Sequence, residues 1–135
     1  DQNEFDDIFN VNVKGLFFFT QAMLPMMSKG SHIVNISSMG GIQGSKKFRG
    51  LSAYSASKGA VAILSEALAE ELMDEEIRVN SLALGGVDTE MFQNAFPHAE
   101  ASYSPTQMAQ YIVDFALNGW KHYNGKVLPV SVNTP

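Results

Sequence analysis

The amino-acid sequence predicts an α/β fold in which helices cover both faces of a parallel β-sheet. Segments with helical periodicity alternate with short, β-branched segments, in the order helix, strand, helix, strand, helix, strand. Alternation of this kind requires crossovers between parallel strands, and such crossovers are right-handed. The length of 135 residues and the hydrophobic share of 45% fit one globular domain or part of one.

The first helix is predicted over residues 3–28. Residues recur there at the three- and four-residue steps of an α-helix, namely Phe5, Ile8, Phe9, Val13, Leu16, Phe17 and Thr20. Because nearly every turn is apolar on more than one side, we expect this helix to be buried on two faces. Pro25 should kink or end it, since proline lacks the N–H that a helix interior needs.

Three strands are predicted, at residues 33–36, 77–84 and 125–132. The first is short, β-branched and bounded by glycines, which is typical of a buried parallel strand. Pro129 favours an edge position for the last strand, because proline cannot donate a hydrogen bond to a neighbour. Three strands are few for an independent α/β domain, whose sheets usually have about five or six. We therefore expect that part of the domain is missing from this chain.

Two further helices are predicted, over residues 52–73 and 105–117. The former is rich in Ala, Leu and Glu, which favour helix. The latter starts with a capping box, in which Ser104 and Gln107 each bind the other's backbone. The intervening segment 87–104 is predicted to be irregular.

Composition and charge exclude several classes of function. The net charge of −5 and the scatter of nine basic residues argue against nucleic-acid binding, because phosphate-backbone binders cluster Lys and Arg. The absence of cysteine excludes disulfides and thiolate chemistry, and fits a cytoplasmic protein. The longest apolar run, residues 15–19, is far shorter than the roughly 18 residues of a membrane span. His32 and His122 have no paired ligands, so we expect no metal site.

Ser38, Tyr54 and Lys58 form the candidate catalytic set. On a helix, the spacing of Tyr54 and Lys58 puts both side chains on one face, about one turn apart. A free phenol has a pKa of about 10, so a catalytic tyrosine needs a cation beside it at neutral pH, and Lys58 supplies one. Ser38 follows the first strand, where its hydroxyl can bond a substrate oxygen while charge builds on it.

Other motifs accompany this set in a fixed order. A tyrosine and a lysine four residues apart often occur together by chance, as a surface pair. Here they stand among NVKG at 12–15, VNISSMGG at 34–41, YSASKG at 54–59, IRVN at 77–80, GGVDT at 85–89 and GKVL at 125–128. In this order the segments resemble the C-terminal half of the short-chain dehydrogenase/reductase family, and the resemblance covers nearly the whole chain.

The resemblance implies the C-terminal half of a Rossmann-like, doubly wound parallel sheet. It implies an oxidoreductase that transfers hydride between NAD or NADP and a small carbonyl or secondary alcohol substrate. Residues 1–135 would be the catalytic half of a single domain, and the glycine-rich dinucleotide-binding half would be absent, so we expect the chain alone to be inactive. The family commonly dimerises through the helices corresponding to residues 3–28 and 52–73, which predicts a homodimer.

The resemblance also assigns catalytic roles. Tyr54 corresponds to the general acid/base, and Lys58 to the lysine that stabilises its phenolate and binds the nicotinamide ribose. Ser38 corresponds to the serine that orients the substrate oxygen, while Ser37 is expected to bind backbone. Asn12 corresponds to the helix asparagine that holds a water in the proton relay behind the lysine.

Residues 85–89 correspond to the loop that receives the nicotinamide carboxamide, which starts here at Gly85. The family binds the carboxamide through the backbone at Val87 and the hydroxyl at Thr89. The family also places a proline before the first glycine, where this chain has Leu84. Proline would fix φ at that point and leucine does not, so we expect a less rigid loop with its cofactor contacts intact.

Three alternatives stay open. Residues 45–49 lengthen the segment between Ser38 and Tyr54, and they either shape specificity or form an inert surface loop. Residues 90–103 contain several aromatics, which either pack on one another or form a pocket for an apolar substrate. The alternative to an enzyme is a non-catalytic half-domain that associates with its own copy, and the complete set of catalytic positions favours the enzyme.

Overall fold

The structure, a computed structural model, describes residues 1–133 and contains a three-stranded parallel sheet. Its strands are β1 (His32–Ser38), β2 (Arg78–Leu84) and β3 (Val127–Val130), in the order β1-β2-β3. Leu82 in β2 lies opposite Ile36 and Leu128. The α/β class, the three strands and the edge position of the last strand are confirmed. The predicted domain also includes residues 134 and 135, which lie outside the described part of the chain.

The helices alternate with the strands as predicted. They are α1 (Gln2–Phe9), α2 (Leu16–Met23), α3 (Ser52–Glu71), α4 (Glu90–Ala95) and α5 (Pro105–Asn118). The capping box of α5 is confirmed: Ser104 Oγ accepts from the Gln107 N–H, and the Gln107 side chain accepts from the Ser104 N–H. Helix α4 lies in the segment predicted to be irregular. Its sequence signal is Thr89, whose hydroxyl caps the helix by accepting from the Phe92 N–H.

The predicted first helix is interrupted by a π-helical turn, Asn10–Gly15, which separates α1 from α2. Turns of this kind within α-helices occur frequently at functional sites, and this one contains Asn12. A 3₁₀ turn at Leu24–Met26 then ends the helix around Pro25, as predicted.

Two apolar clusters hold the sheet between α3 and α5. On one face, Ile33 and Val79 form a cluster with Leu68 of α3. On the other face, Leu82 packs against α5 at Phe115. Because opposite faces of β2 are both covered, this strand is the buried centre of the sheet.

The surface formed by α1 and α2 is apolar and exposed. Thr20 is the single buried residue of these two helices. The large apolar side chains exposed along this segment are Phe5, Val11, Phe17, Phe18 and Phe19. The predicted burial on two faces is therefore not found within residues 1–133, because nothing in this part of the chain covers that surface. None of the helices described is long and apolar enough to cross a membrane.

A polar network lies beside the first residue of β1. Asn80 is fully buried, and its Oδ1 accepts from the Lys126 N–H, which fixes the orientation of its amide. Its Nδ2 donates to the Tyr123 carbonyl at 3.0 Å and to His32 Nε2 at 2.9 Å. Since Nε2 accepts, Nδ1 of His32 carries the proton and donates to the Ala116 carbonyl at 2.9 Å. The network therefore holds the neutral imidazole, and burial lowers the pKa of His32.

Acid should destabilise the fold through His32. Because its pKa is lower in the folded state, the unfolded chain binds the proton more readily. Neutral His32 therefore stabilises the folded state at any pH above its unfolded pKa of about 6.5. This stabilisation is lost as the pH falls from there through the lower pKa of the folded state. Arg78, opposite His32 in the ladder, would add repulsion to the protonated ring.

Urea denaturation of the full-length protein, meaning the natural protein that contains this chain, measures the effect. His32→Gln should flatten the fall in unfolding free energy between about pH 7 and pH 5. The matched control is His122→Gln, whose side chain is exposed and should leave the slope unchanged. Identical slopes for wild type and His32→Gln would show that this network does not sense pH.

Candidate active site

The predicted catalytic residues gather at the carboxyl edge of the sheet. Ser38 is the last residue of β1, residues 85–89 follow β2, and Tyr54 lies in the first turn of α3. In open parallel sheets, ligands bind outside the carboxyl ends of the strands. The topology therefore brings together residues from three separate segments of the sequence.

Lys58 lies beside Tyr54 and is partly buried. Its Nζ is 5.8 Å from the centroid of the Tyr54 ring and donates to the Ile36 carbonyl at 3.1 Å. Desolvation lowers the pKa of Lys58, because burial disfavours the charged form. The amine is thus held at β1, the strand that ends in Ser38, and it is close enough to the tyrosine ring to act on it electrostatically.

The two serines at the end of β1 have different partners. Ser37 is buried, and its hydroxyl donates to the Lys58 carbonyl at 2.7 Å, so the prediction that it binds backbone is confirmed. The Ser38 hydroxyl accepts from the Gly40 N–H at 3.1 Å. Because a hydroxyl also has one proton to donate, Ser38 remains free to donate to a substrate oxygen.

Gly41 sets the separation between this turn and α3. A Cβ at Gly41 would lie 2.6 Å from the Gly59 nitrogen and 2.6 Å from the Lys58 carbonyl carbon. Glycine alone allows the 3₁₀ turn Met39–Gly41 to approach the α3 backbone this closely. Gly41 is thus a site residue beyond the predicted set, and its signal was its position in the glycine pair that follows Ser38.

Asn12 reaches α3 from the π-turn. Its Nδ2 donates to Ser57 Oγ at 3.0 Å, and Ser57 Oγ donates to the Tyr54 carbonyl at 2.7 Å. Since Ser57 is fully buried, these bonds tie the π-turn firmly to the turn of α3 that carries Tyr54. Asn12, Ile36 and Lys58 also line an open cleft of about 420 Å³. Ser57 was not predicted as a site residue, although it stands between Tyr54 and Lys58.

The start of the loop after β2 is held by backbone contacts. The Gly85 N–H donates to the Val130 carbonyl at 2.9 Å, and a Cβ at Gly86 would lie 2.7 Å from the Phe92 ring. Leu84, at the position where the family has proline, is paired with Ser38 and Val130 in the sheet. Strand pairing thus holds the residue before the loop, and the lower rigidity of the loop itself stays a prediction.

The rest of this loop is anchored by its backbone and keeps one hydroxyl proton available. Val87 forms an isolated parallel bridge with Tyr103, which anchors the loop to the segment before α5. The Thr89 hydroxyl accepts from the Phe92 N–H at 3.2 Å, so its own proton is free for a ligand. Within residues 1–133, no three His, Asp or Glu side chains are placed to hold a metal ion.

Known proteins share this sequence pattern. The family model for short chain dehydrogenase matches residues 1–100. An uncharacterized oxidoreductase of Staphylococcus aureus (strain N315) is 33% identical over 124 residues, which are 90% of this chain and 52% of the relative. A 3-oxoacyl-(acyl-carrier-protein) reductase, FabG, of Thermotoga maritima is 33% identical over an alignment of 141 positions, which covers 96% of this chain and 56% of the relative.

A solved structure shares the fold. A putative short chain dehydrogenase from Escherichia coli CFT073, complexed with NADPH, superposes with a TM-score of 0.81 and 30% identity, covering 96% of this chain and 54% of that one. The chain spans about half the length of the curated relatives it matches. Together with the family model, the order of the motifs and the parallel sheet lead to one conclusion: the chain belongs to the short chain dehydrogenase family.

Proposed function

We propose that the full-length protein is an oxidoreductase that transfers hydride between NAD or NADP and a carbonyl or secondary alcohol carbon. The observation that carries this proposal is the meeting of Ser38, Tyr54 and Lys58 at the carboxyl edge of the sheet, with Lys58 Nζ 5.8 Å from the Tyr54 ring. The NADPH bound to the Escherichia coli relative supports a nicotinamide cofactor. When bound, that cofactor supplies the hydride chemistry, and the protein positions the substrate and moves the proton.

Each catalytic residue has a distinct role in this proposal. During reduction, Tyr54 gives its phenolic proton to the substrate oxygen, and during oxidation it takes that proton back. Lys58 stabilises the phenolate because its amine lies beside the ring. Ser38 donates to the same oxygen and holds the carbonyl or alcohol in place, while Asn12, beside the cleft that Lys58 also lines, would hold the relay water.

The residues present fit the nicotinamide end of the cofactor. Lys58 would bind the ribose, and the free proton of Thr89 with the backbone at Val87 would bind the carboxamide. The phosphates need a glycine-rich turn before a helix N-terminus. Neither glycine pair of this chain leaves room for a phosphate group. The space beside Gly41 is occupied by the α3 backbone, and the space beside Gly86 is occupied by the Phe92 ring. The phosphates must therefore be bound elsewhere in the protein.

We propose further that residues 1–135 are the catalytic half of one domain whose other half binds those phosphates. The outer edge of β1 supports this proposal. The Ser31 carbonyl points toward β2, because it accepts from the Arg78 N–H. Along a strand, successive carbonyls point to opposite sides. Ile36 is an odd number of positions from Ser31, so its carbonyl points away from β2. Within residues 1–133 that edge has no neighbouring strand. A parallel strand added there would compete with Lys58 for the Ile36 carbonyl and free its amine.

The 135-residue chain alone should bind neither NADH nor NADPH in the micromolar range and should not turn over. Contacts remote from the reacting carbon supply the binding energy that orients the ring, and orientation can contribute about 7–11 kcal/mol to lowering the barrier. Calorimetric titration of both cofactors into the chain and into the full-length protein, with intact masses checked, tests this. Micromolar binding by the chain would overturn the half-domain proposal. Lack of nicotinamide-linked turnover by the full-length protein would overturn the oxidoreductase proposal.

We propose a small molecule as substrate, no nucleic-acid or membrane partner, and a cytoplasmic location. The net charge of −5 and the absence of cysteine support these proposals. The alternative, a non-catalytic half-domain that associates with its own copy, is favoured by one observation, the exposed apolar surface of α1 and α2. That surface is equally consistent with a dimeric enzyme.

The full-length protein should form a two-fold homodimer through this surface together with α3, whose Ile63 is also exposed. Large apolar side chains exposed side by side often mark an interface, and a two-fold axis pairs each helix with its copy. Ile63→Asp on α3 and Phe18→Asp on α2, both at exposed positions, should shift sedimentation toward monomer at micromolar concentration. Leu117→Asp on α5, which is 66% exposed, is the control and should remain dimeric. A monomeric wild type would contradict the prediction.

A further inference from the structure

Two loops that leave the active site meet through aromatic side chains. Phe48 belongs to the segment between β1 and α3, and Phe96 to the segment that follows β2. Their ring centroids are 4.8 Å apart in an edge-to-face arrangement, and Phe92 lies 5.4 Å from Phe96. We call the contact between Phe48 and Phe96 the aromatic clasp.

The loop that carries Phe48 has a defined structure. Lys47 Nζ donates to the Ile42 carbonyl at 2.7 Å, the Ser45 carbonyl at 2.9 Å and the Ser45 hydroxyl at 2.7 Å. The Ser45 hydroxyl in turn donates to the Met39 carbonyl, directly after Ser38. These bonds cross-link the loop at its base, beside a catalytic residue. They give the loop a defined conformation, which fixes where it presents Phe48.

The segment that carries Phe96 is fixed to the other side of the site. The Phe92 ring packs on Gly86, in the loop that would receive the carboxamide. Phe92 and Phe96 are half-buried, whereas Phe48 is 40% exposed and keeps surface for another group. Lys46 Nζ lies 5.3 Å from the Phe48 centroid, a cation–π contact that helps to hold the ring in place.

We propose that the aromatic clasp is the specificity-determining wall of the substrate site and selects substrates with an aryl group on the reacting carbonyl carbon. The two loops leave the ends of neighbouring strands, at Ser38 and Leu84, so the clasp belongs to the same edge of the sheet as Ser38 and Tyr54, where a substituent on the reacting carbon would meet it. Aromatic rings favour edge and offset contacts with other rings, which the exposed surface of Phe48 offers. This inference rests on the proposed function.

Reduction of two ketones by the full-length protein tests the clasp. Wild type should prefer acetophenone to butanone. Phe48→Ala should lower kcat/KM for acetophenone by about tenfold and for butanone by less than about threefold. Phe96→Ala should act likewise, and the double variant should lose little more, because the two rings form one contact. Arg49→Ala, an exposed change in the same loop, is the matched control and should alter neither value.

Calorimetric binding of acetophenone separates the two proposals. Weaker acetophenone binding by Phe48→Ala, with wild-type affinity in Arg49→Ala, supports the clasp whether or not the protein turns over. Lack of turnover would overturn the proposed function and leave the clasp standing. Phe48→Leu, which keeps apolar volume if Phe48→Ala unfolds, should give an intermediate loss. A wild-type preference for butanone, equal losses for both ketones, or tighter acetophenone binding by Phe48→Ala would overturn the clasp while nicotinamide-linked turnover persists.

Discussion

Replacing Tyr54 with phenylalanine should lower kcat of the full-length protein by about 10²–10⁴-fold, the usual contribution of a general acid–base group. The change removes one oxygen and keeps the ring beside Lys58, so packing on α3 is preserved. Backbone contacts of this turn are also kept, because Ser57 bonds the Tyr54 carbonyl and not its side chain. We therefore expect the free energy of unfolding to stay close to that of wild type.

Turnover with saturating cofactor, together with urea denaturation, measures both effects. The control is Tyr111→Phe on α5, which removes the same oxygen from an exposed tyrosine on a different element. It should retain wild-type kcat. If Tyr54→Phe kept turnover within a factor of a few of wild type, another group would have to carry the proton, and the assignment of Tyr54 would fail.

The fold class could be predicted because its signals are local. The capping box of Ser104 and Gln107 spans one helical turn, and the β-branched run in β1 stands between glycines, so each element is encoded in its own residues. The π-turn could not be predicted in this way. It is tied down by the bond from Asn12 to Ser57, a partner 45 positions away in the sequence. Helix α4 has six residues, too few to show a helical period.

The site shows the same division. The spacing of Tyr54 and Lys58 on one helix predicts their proximity, and the structure places the amine 5.8 Å from the ring. The bond from Lys58 to the Ile36 carbonyl could not be predicted in this way. It forms because the outer edge of β1 has no neighbouring strand within residues 1–133. The aromatic clasp likewise joins two loops whose lengths say nothing about where their ends meet. Sequence could identify the chemistry of the site, and only the structure shows which backbone groups hold it.

Gly41→Ala should damage both stability and turnover. The added methyl would lie 2.6 Å from backbone atoms of Lys58 and Gly59, which cannot rotate away as a side chain could. Overpacking of this kind costs about 1–3 kcal/mol of unfolding free energy. To relieve the contact, the turn after β1 must move away from α3 and carry Ser38 from its place relative to Tyr54. A shift of about 1 Å at a reacting group can cost about 10²-fold in rate.

Gly30→Ala separates this close approach from a general glycine effect. Gly30 has φ +88, a left-handed conformation, and an added methyl there would have no other atom within 4 Å, so alanine meets backbone strain without a clash. Strain of that kind costs about 1–2 kcal/mol, comparable to the loss expected for Gly41→Ala. Urea denaturation alone therefore cannot distinguish the two variants, but kcat at a temperature where both are folded can. Gly30→Ala should keep wild-type kcat and Gly41→Ala should lose it, because only the change at Gly41 moves Ser38. Wild-type kcat in both variants would mean that Gly41 does not position the serine.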